Sequence, residues 1–168
     1  MTTKDLTKAG IIAALVFLGT FFLKIPNPVS GYIHLGDTFM LLSGLLIGGP
    51  LGGLASGLGA LLADLLSGYA IYAIPTFFIK FLQVMFVTLL FNKLTKNKEK
   101  PRRMHIFFLL ALFSGIIMIT GYFAYEVFLY DFSVAFANIL FNAIQVGASA
   151  VLATVLLVPM LKIKNILK

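Results

Sequence analysis

The chain has no cysteine and no tryptophan, and its 168 residues include only six acids and two histidines. Without cysteine there is no disulfide, no thiolate metal site and no thiol nucleophile. His34 and His105 have no neighbour at ligand spacing, so no metal site is expected and no cofactor is assigned. A phosphate-cradling G-x-x-x-x-G-K-[ST] loop is also missing, so any ATP hydrolysis belongs to a partner. Charge is scarce as well, at 11% of residues, where a soluble domain has roughly 25%.

What remains is apolar: 60% of residues are hydrophobic and the mean hydropathy is +1.03. In hydrocarbon every backbone N–H and C=O must be paired internally, which leaves helices or a closed barrel. The apolar runs lack the period-2 alternation of barrel strands, so the expected fold class is an all-α integral membrane protein. At about 20 residues per span, residues 1–168 form one membrane domain of six transmembrane helices.

The first helix is expected over Leu6–Leu23, ended by Ile25-Pro26-Asn27-Pro28. Met1 to Lys8 has no A-x-A-like site after it and reads as the start of this helix, not as a removable leader. A loop through Ser30, Gly31 and Tyr32 follows, and the second helix opens at Asp37, whose carboxylate suits a helix start. It ends at Gly48-Gly49-Pro50, and the third, Leu51–Leu66, is short and rich in Gly and Ala. The fourth runs from Pro75 to Leu94, the fifth from Ile106 to Tyr125 and the sixth from Val134 to Leu161. Residues 93–104 read as a basic loop, and Glu126–Phe132 as an acidic, aromatic connection.

Six spans put both termini on one side, together with Lys4, Lys8, Lys93, Lys96, Lys98, Lys100, Arg102, Arg103, Lys162, Lys164 and Lys168. By the positive-inside rule that side is the cytoplasm, and the membrane is the multi-pass cell membrane. The net charge of +7 is then explained by lipid, with no nucleic acid partner.

Polar side chains inside spans need a reason. Asn138, Asn142 and Gln145 form one stripe at i, i+4, i+7, Lys80 and Gln83 share a face, and Tyr122 stands near Glu126. With Tyr32, His34 and Tyr72 from outer loops, these residues are the candidate substrate-binding set. Aromatic rings stack on a planar solute while amides and Lys80 fix its polar groups. The bland alternatives are interhelical hydrogen bonding and an interfacial aromatic belt, with Asp37 and Asp64 structural and Asp64 ion-paired to Lys80. Ala9 with Ala13, and Gly10 with Ala14, give the first helix small-xxx-small spacing, suited to close helix approach.

The segments Tyr32-Ile33-His34-Leu35-Gly36-Asp37-Thr38 and Ala63-Asp64-Leu65-Leu66-Ser67-Gly68-Tyr69, with the Ala9-xxx-Ala13 face, resemble the substrate-binding S component of energy-coupling factor (ECF) vitamin transporters. The resemblance implies a non-catalytic subunit that captures a vitamin or precursor from outside and docks, through Ala9 and Ala13, on a transmembrane coupling subunit carried by two cytoplasmic ATPases. It further implies hydroxymethylpyrimidine or pyridoxine as substrate, with riboflavin compatible. Two other classes stay open: a stand-alone secondary transporter or channel using Asp64 and Lys80, and an intramembrane enzyme with Asp37 and Asp64 as an acid pair, for which no nucleophile–base constellation is present.

Overall fold

The computed structural model describes residues 2–29, 31–96 and 100–166, without the side chains of 100, 101 and 161–166. Ser30, Lys98 and Lys168, and the side chains of Lys100, Lys162 and Lys164, lie outside the described residues. Among the described residues there are six α-helices, one small hairpin and a 3-10 turn: α1 (Thr3–Phe21), β1 (Lys24–Pro26), β2 (Tyr32–His34), α2 (Gly36–Ile47), α3 (Gly49–Leu66), the 3-10 turn (Ala70–Tyr72), α4 (Ala73–Thr95), α5 (Lys100–Leu129) and α6 (Phe132–Ile166).

Burial runs opposite to that of a water-soluble helix. On α3 the inward face is Gly52, Gly53, Ala55, Ser56, Gly57, Ala60 and Ala63, while Leu54, Leu58, Leu62 and Leu65 point outward. On α6 the exposed stripe is Phe132, Phe136, Leu140, Ile144, Val151 and Val155, with Asn138 and Gln145 buried. Lipid tails solvate leucine as well as a protein core does, so small residues gain more from close backbone approach inside the bundle. Such broad exposed apolar faces are incompatible with water. The chain is a multi-pass membrane protein. Among the described residues, four helices are long and apolar enough to cross a bilayer, Gly49–Leu66, Ala70–Thr95, Arg102–Leu129 and Phe132–Met160.

α1 and α2 fall outside that group for different reasons. α1 carries Lys4, Asp5 and Lys8 in its first two turns, where Thr2 and Asp5 form a reciprocal capping box. α2 has 12 residues, about 18 Å at 1.5 Å per residue, against a hydrocarbon thickness of about 30 Å. It is short because it sits inside the bundle: nine of its residues are buried, and it packs against α1, α3, α4 and α6. Gly48, at φ 95°, makes the sharp turn into α3. The returning helix then lies so close that a Cβ on Gly52 would meet the Gly44 backbone at 2.7 Å.

Several expected boundaries shift. The loop expected after α1 is an antiparallel hairpin, pairing Lys24 with His34, Ile25 with Ile33 and Pro26 with Tyr32. Strand pairing satisfies backbone groups that a loop at the membrane surface would leave open. Pro75 lies in the first turn of α4, which tolerates a missing N–H. The basic stretch 93–104 is largely helical, since α4 continues to Thr95 and α5 begins at Lys100. Glu126 belongs to α5, which runs to Leu129, so Glu126–Phe132 is not a free connection. Asp37 makes no side-chain cap on α2; its carboxylate is engaged elsewhere.

Candidate functional site

One end of the bundle gathers the β1–β2 hairpin, the α3–α4 junction, the C-terminal part of α5 and the N-terminal part of α6. Between them lies a narrow cleft lined by residues from all four regions. Exposed Lys93, Lys96 and Arg102 lie at the α4–α5 turn, the opposite end of the same helices.

Tyrosines form an arc along the cleft. The Tyr32 ring stands 4.8 Å from Tyr69, Tyr69 6.5 Å from Tyr72, and Tyr72 6.2 Å from Tyr122. Two of the four tyrosines meet a carboxylate. The Tyr32 hydroxyl donates to Asp64 Oδ1, and the Tyr72 hydroxyl donates to Glu126 Oε1 at 3.2 Å. Asn138 Nδ2 donates to the same Glu126 oxygen at 3.0 Å, and Asn27 Nδ2 reaches Asn138 Oδ1 at 3.3 Å. Asn27 Oδ1 also accepts from the backbone of Val29 and Gly31, so one side chain both shapes the hairpin turn and ties it to α6. Tyr122 shares a 2.9 Å hydrogen bond with Thr76.

The expected binding residues separate into two groups. Tyr32, His34, Tyr72, Tyr122, Glu126, Asn138, Asn142 and Gln145 line the cleft; Lys80 and Gln83 do not. Lys80 is wholly buried and its ammonium lies 2.8 and 2.9 Å from the two Asp37 oxygens. An unpaired ammonium at this depth is costly, and the nearest carboxylate neutralises it. The pairing of Lys80 with Asp64 is therefore replaced by Lys80 with Asp37. Lys80 supports the cleft wall from behind, 3.5 Å from Met118 Sδ and 5.7 Å from the Tyr122 ring centre. Gln83 donates to the Ser114 carbonyl at 3.2 Å.

A second layer of hydrogen bonds joins the hairpin to this ion pair. Gln145 Oε1 accepts from the His34 backbone N–H at 3.1 Å, while Nε2 donates to Asp37 Oδ2 at 2.8 Å and lies 3.1 Å from His34 Nε2. Burial pushes the His34 imidazole down to about 4, against the pull of Asp37, so the ring is neutral near pH 7 and one nitrogen accepts.

Asn27, Gly31, Tyr69, Thr76 and Met118 also line the cleft, and Asp64, expected to be structural, is part of its wall. The Asp64-to-Tyr69 segment carried a usable signal: the helix ends there through Gly68 at φ 85°, which presents Tyr69 to the cleft. Met118 has no such signal, being one apolar residue among many on α5.

On α1, Ala9 and Ala13 are half-buried against the core, and the Ala13 carbonyl lies against Gly59 of α3. The outward small residues are Gly10 and Ala14, flanked by exposed Leu6, Ile11 and Leu18. A Cβ on Gly10 would meet nothing within 4 Å.

Residues 1–162 match the family model described as ECF-type riboflavin transporter, S component. An uncharacterized protein in the gap 3' region of Pyrococcus woesei is 34% identical over 116 residues, covering 68% of this chain and 73% of the relative. A membrane bundle with an aromatic, amide-lined cleft at one end, matched almost end to end by that model, belongs to the ECF-type riboflavin transporter S components, transport subunits that capture a vitamin.

Proposed function

We propose that this chain captures a small heteroaromatic vitamin or precursor at the outer face of the cell membrane and delivers it through a coupling subunit and two cytoplasmic ATPases. The orientation follows from charge: the termini and the basic α4–α5 turn face the cytoplasm, so the cleft opens outward. The observation that carries the reading is the cleft itself, where tyrosine rings and the amides of Asn27, Asn138, Asn142 and Gln145 converge on one space. Rings stack on a planar solute and amides read its edges. Hydroxymethylpyrimidine and pyridoxine are the favoured ligands, with riboflavin the larger alternative.

Docking on the coupling subunit uses α1. Its small residues let a partner helix approach, with Gly10 and Ala14 outermost and Ala9 and Ala13 beside them.

Native mass spectrometry of the detergent-purified chain tests capture. The expected result is one small solute per chain, retained without ATP and released on denaturation as a pyrimidine, pyridine or flavin. A chain that arrives empty and takes up none of these vitamins on addition contradicts the proposal.

A further inference from the structure

Asp64 and Glu126 are each 4% exposed and line the same cleft. Their hydrogen bonds use Asp64 Oδ1, which accepts from Tyr32, and Glu126 Oε1, which accepts from Tyr72 and Asn138, and the Thr76 hydroxyl also stands by the Asp64 carboxyl. Asp64 Oδ2 and Glu126 Oε2 are buried without a hydrogen-bond partner. A buried acceptor left in this state is costly, and natural structures retain one where it has a task. The lining contains no Lys or Arg among the described residues; of the cations near it, Lys80 is held by both oxygens of Asp37, and Lys24, 5.7 Å from the Tyr32 ring centre, donates to Ser67 Oγ at 2.7 Å. Every other polar group of the wall is a hydroxyl, an amide or the neutral His34 ring.

We infer that the cleft reads hydrogen-bond donors on two edges of a neutral or cationic heteroaromatic ligand, through Asp64 beside Tyr32 and Glu126 beside Tyr72, and that it excludes the phosphate ester of the same ligand. This rests on the capture reading above. An N–H or O–H on either edge of the ring supplies the donor that the free oxygen accepts, a charge-assisted bond stronger than a neutral one. A phosphoryl group brings two negative charges and only acceptors. It would face both carboxylates in a poorly screened space whose lining offers no cation among the described residues, a like-charge juxtaposition that opposes binding. The cell side of transport gains directly: a ligand phosphorylated after import no longer fits its entry site.

The test is isothermal titration of the detergent-purified full chain with hydroxymethylpyrimidine, pyridoxine and riboflavin, each beside its own monophosphate. Whichever alcohol binds, its ester is expected to bind about 100-fold more weakly. Glu126→Gln and Asp64→Asn, which keep shape and remove the charge, are each expected to weaken the alcohol about tenfold, with thermal melting checking that the variants stay folded. An ester binding within about threefold of its alcohol overturns the inference. So does unchanged affinity in both variants, and in either case capture itself stands. Failure of all three alcohols to bind a folded chain removes the capture reading and this inference together. The comparison of ester with alcohol uses the unmodified chain, so it decides even where a variant fails to fold.

Discussion

At the scale of single residues, Lys80 shows how depth sets a role. An ammonium with no exposed surface persists only with a counter-charge, and α2 supplies Asp37 within 3 Å. Lys80→Met leaves that carboxylate buried and unpaired, and is expected to cost about 3–5 kcal/mol, read as a lower melting temperature in detergent. Adding Asp37→Asn removes the orphan charge and is expected to recover most of the loss. Were Lys80 a ligand contact instead, the second change would restore nothing to binding. The presence of buried polar groups was legible in the sequence, because a Lys or Asp inside an apolar run has few explanations. Their partners were not: whether Lys80 meets Asp37 or Asp64 depends on how deeply α2 is set, and no local pattern records that. Glu126 was similarly displaced from a supposed connection into a helix, because α5 continues past Tyr125 and turns the carboxylate inward.

At the scale of elements, the hairpin and α2 act as one inserted unit. His34 ends β2, Asp37 opens α2, and Gln145 of α6 holds both. The six helical runs could be read from hydropathy alone, with ends moved by a few residues. The strands could not, since three-residue segments containing Pro26 and flanking Asn27-Pro28 carry no alternation to detect. Helix faces were also ambiguous. The i,i+4 spacing identifies both Ala9 with Ala13 and Gly10 with Ala14, but only packing against Gly59 shows that the first pair is turned toward α3. A docking experiment at Ala13 would therefore confuse internal strain with lost docking. Ala14→Trp is the cleaner probe: folding and ligand affinity are expected to hold while vitamin uptake by cells carrying the partner subunits is lost. Normal uptake by this variant would remove the outward face of α1 from the docking surface.

At the scale of the whole molecule, the chain puts leucines outside, glycines and alanines between helices, and polar chemistry at one end. No nucleotide-binding loop is present in the sequence, and the buried Lys80 is committed to an ion pair with Asp37. On the capture reading proposed above, a site of this kind gives occupancy, and partners move the solute across the membrane. A secondary transporter, by contrast, would couple an ion gradient to uptake within this one chain. The measurement that separates them is radiolabelled vitamin uptake into proteoliposomes containing this chain alone, under imposed proton and sodium gradients. The account predicts saturable binding that stops at one solute per chain and no gradient-dependent accumulation in the lumen; accumulation that follows either gradient without any partner subunit would contradict it.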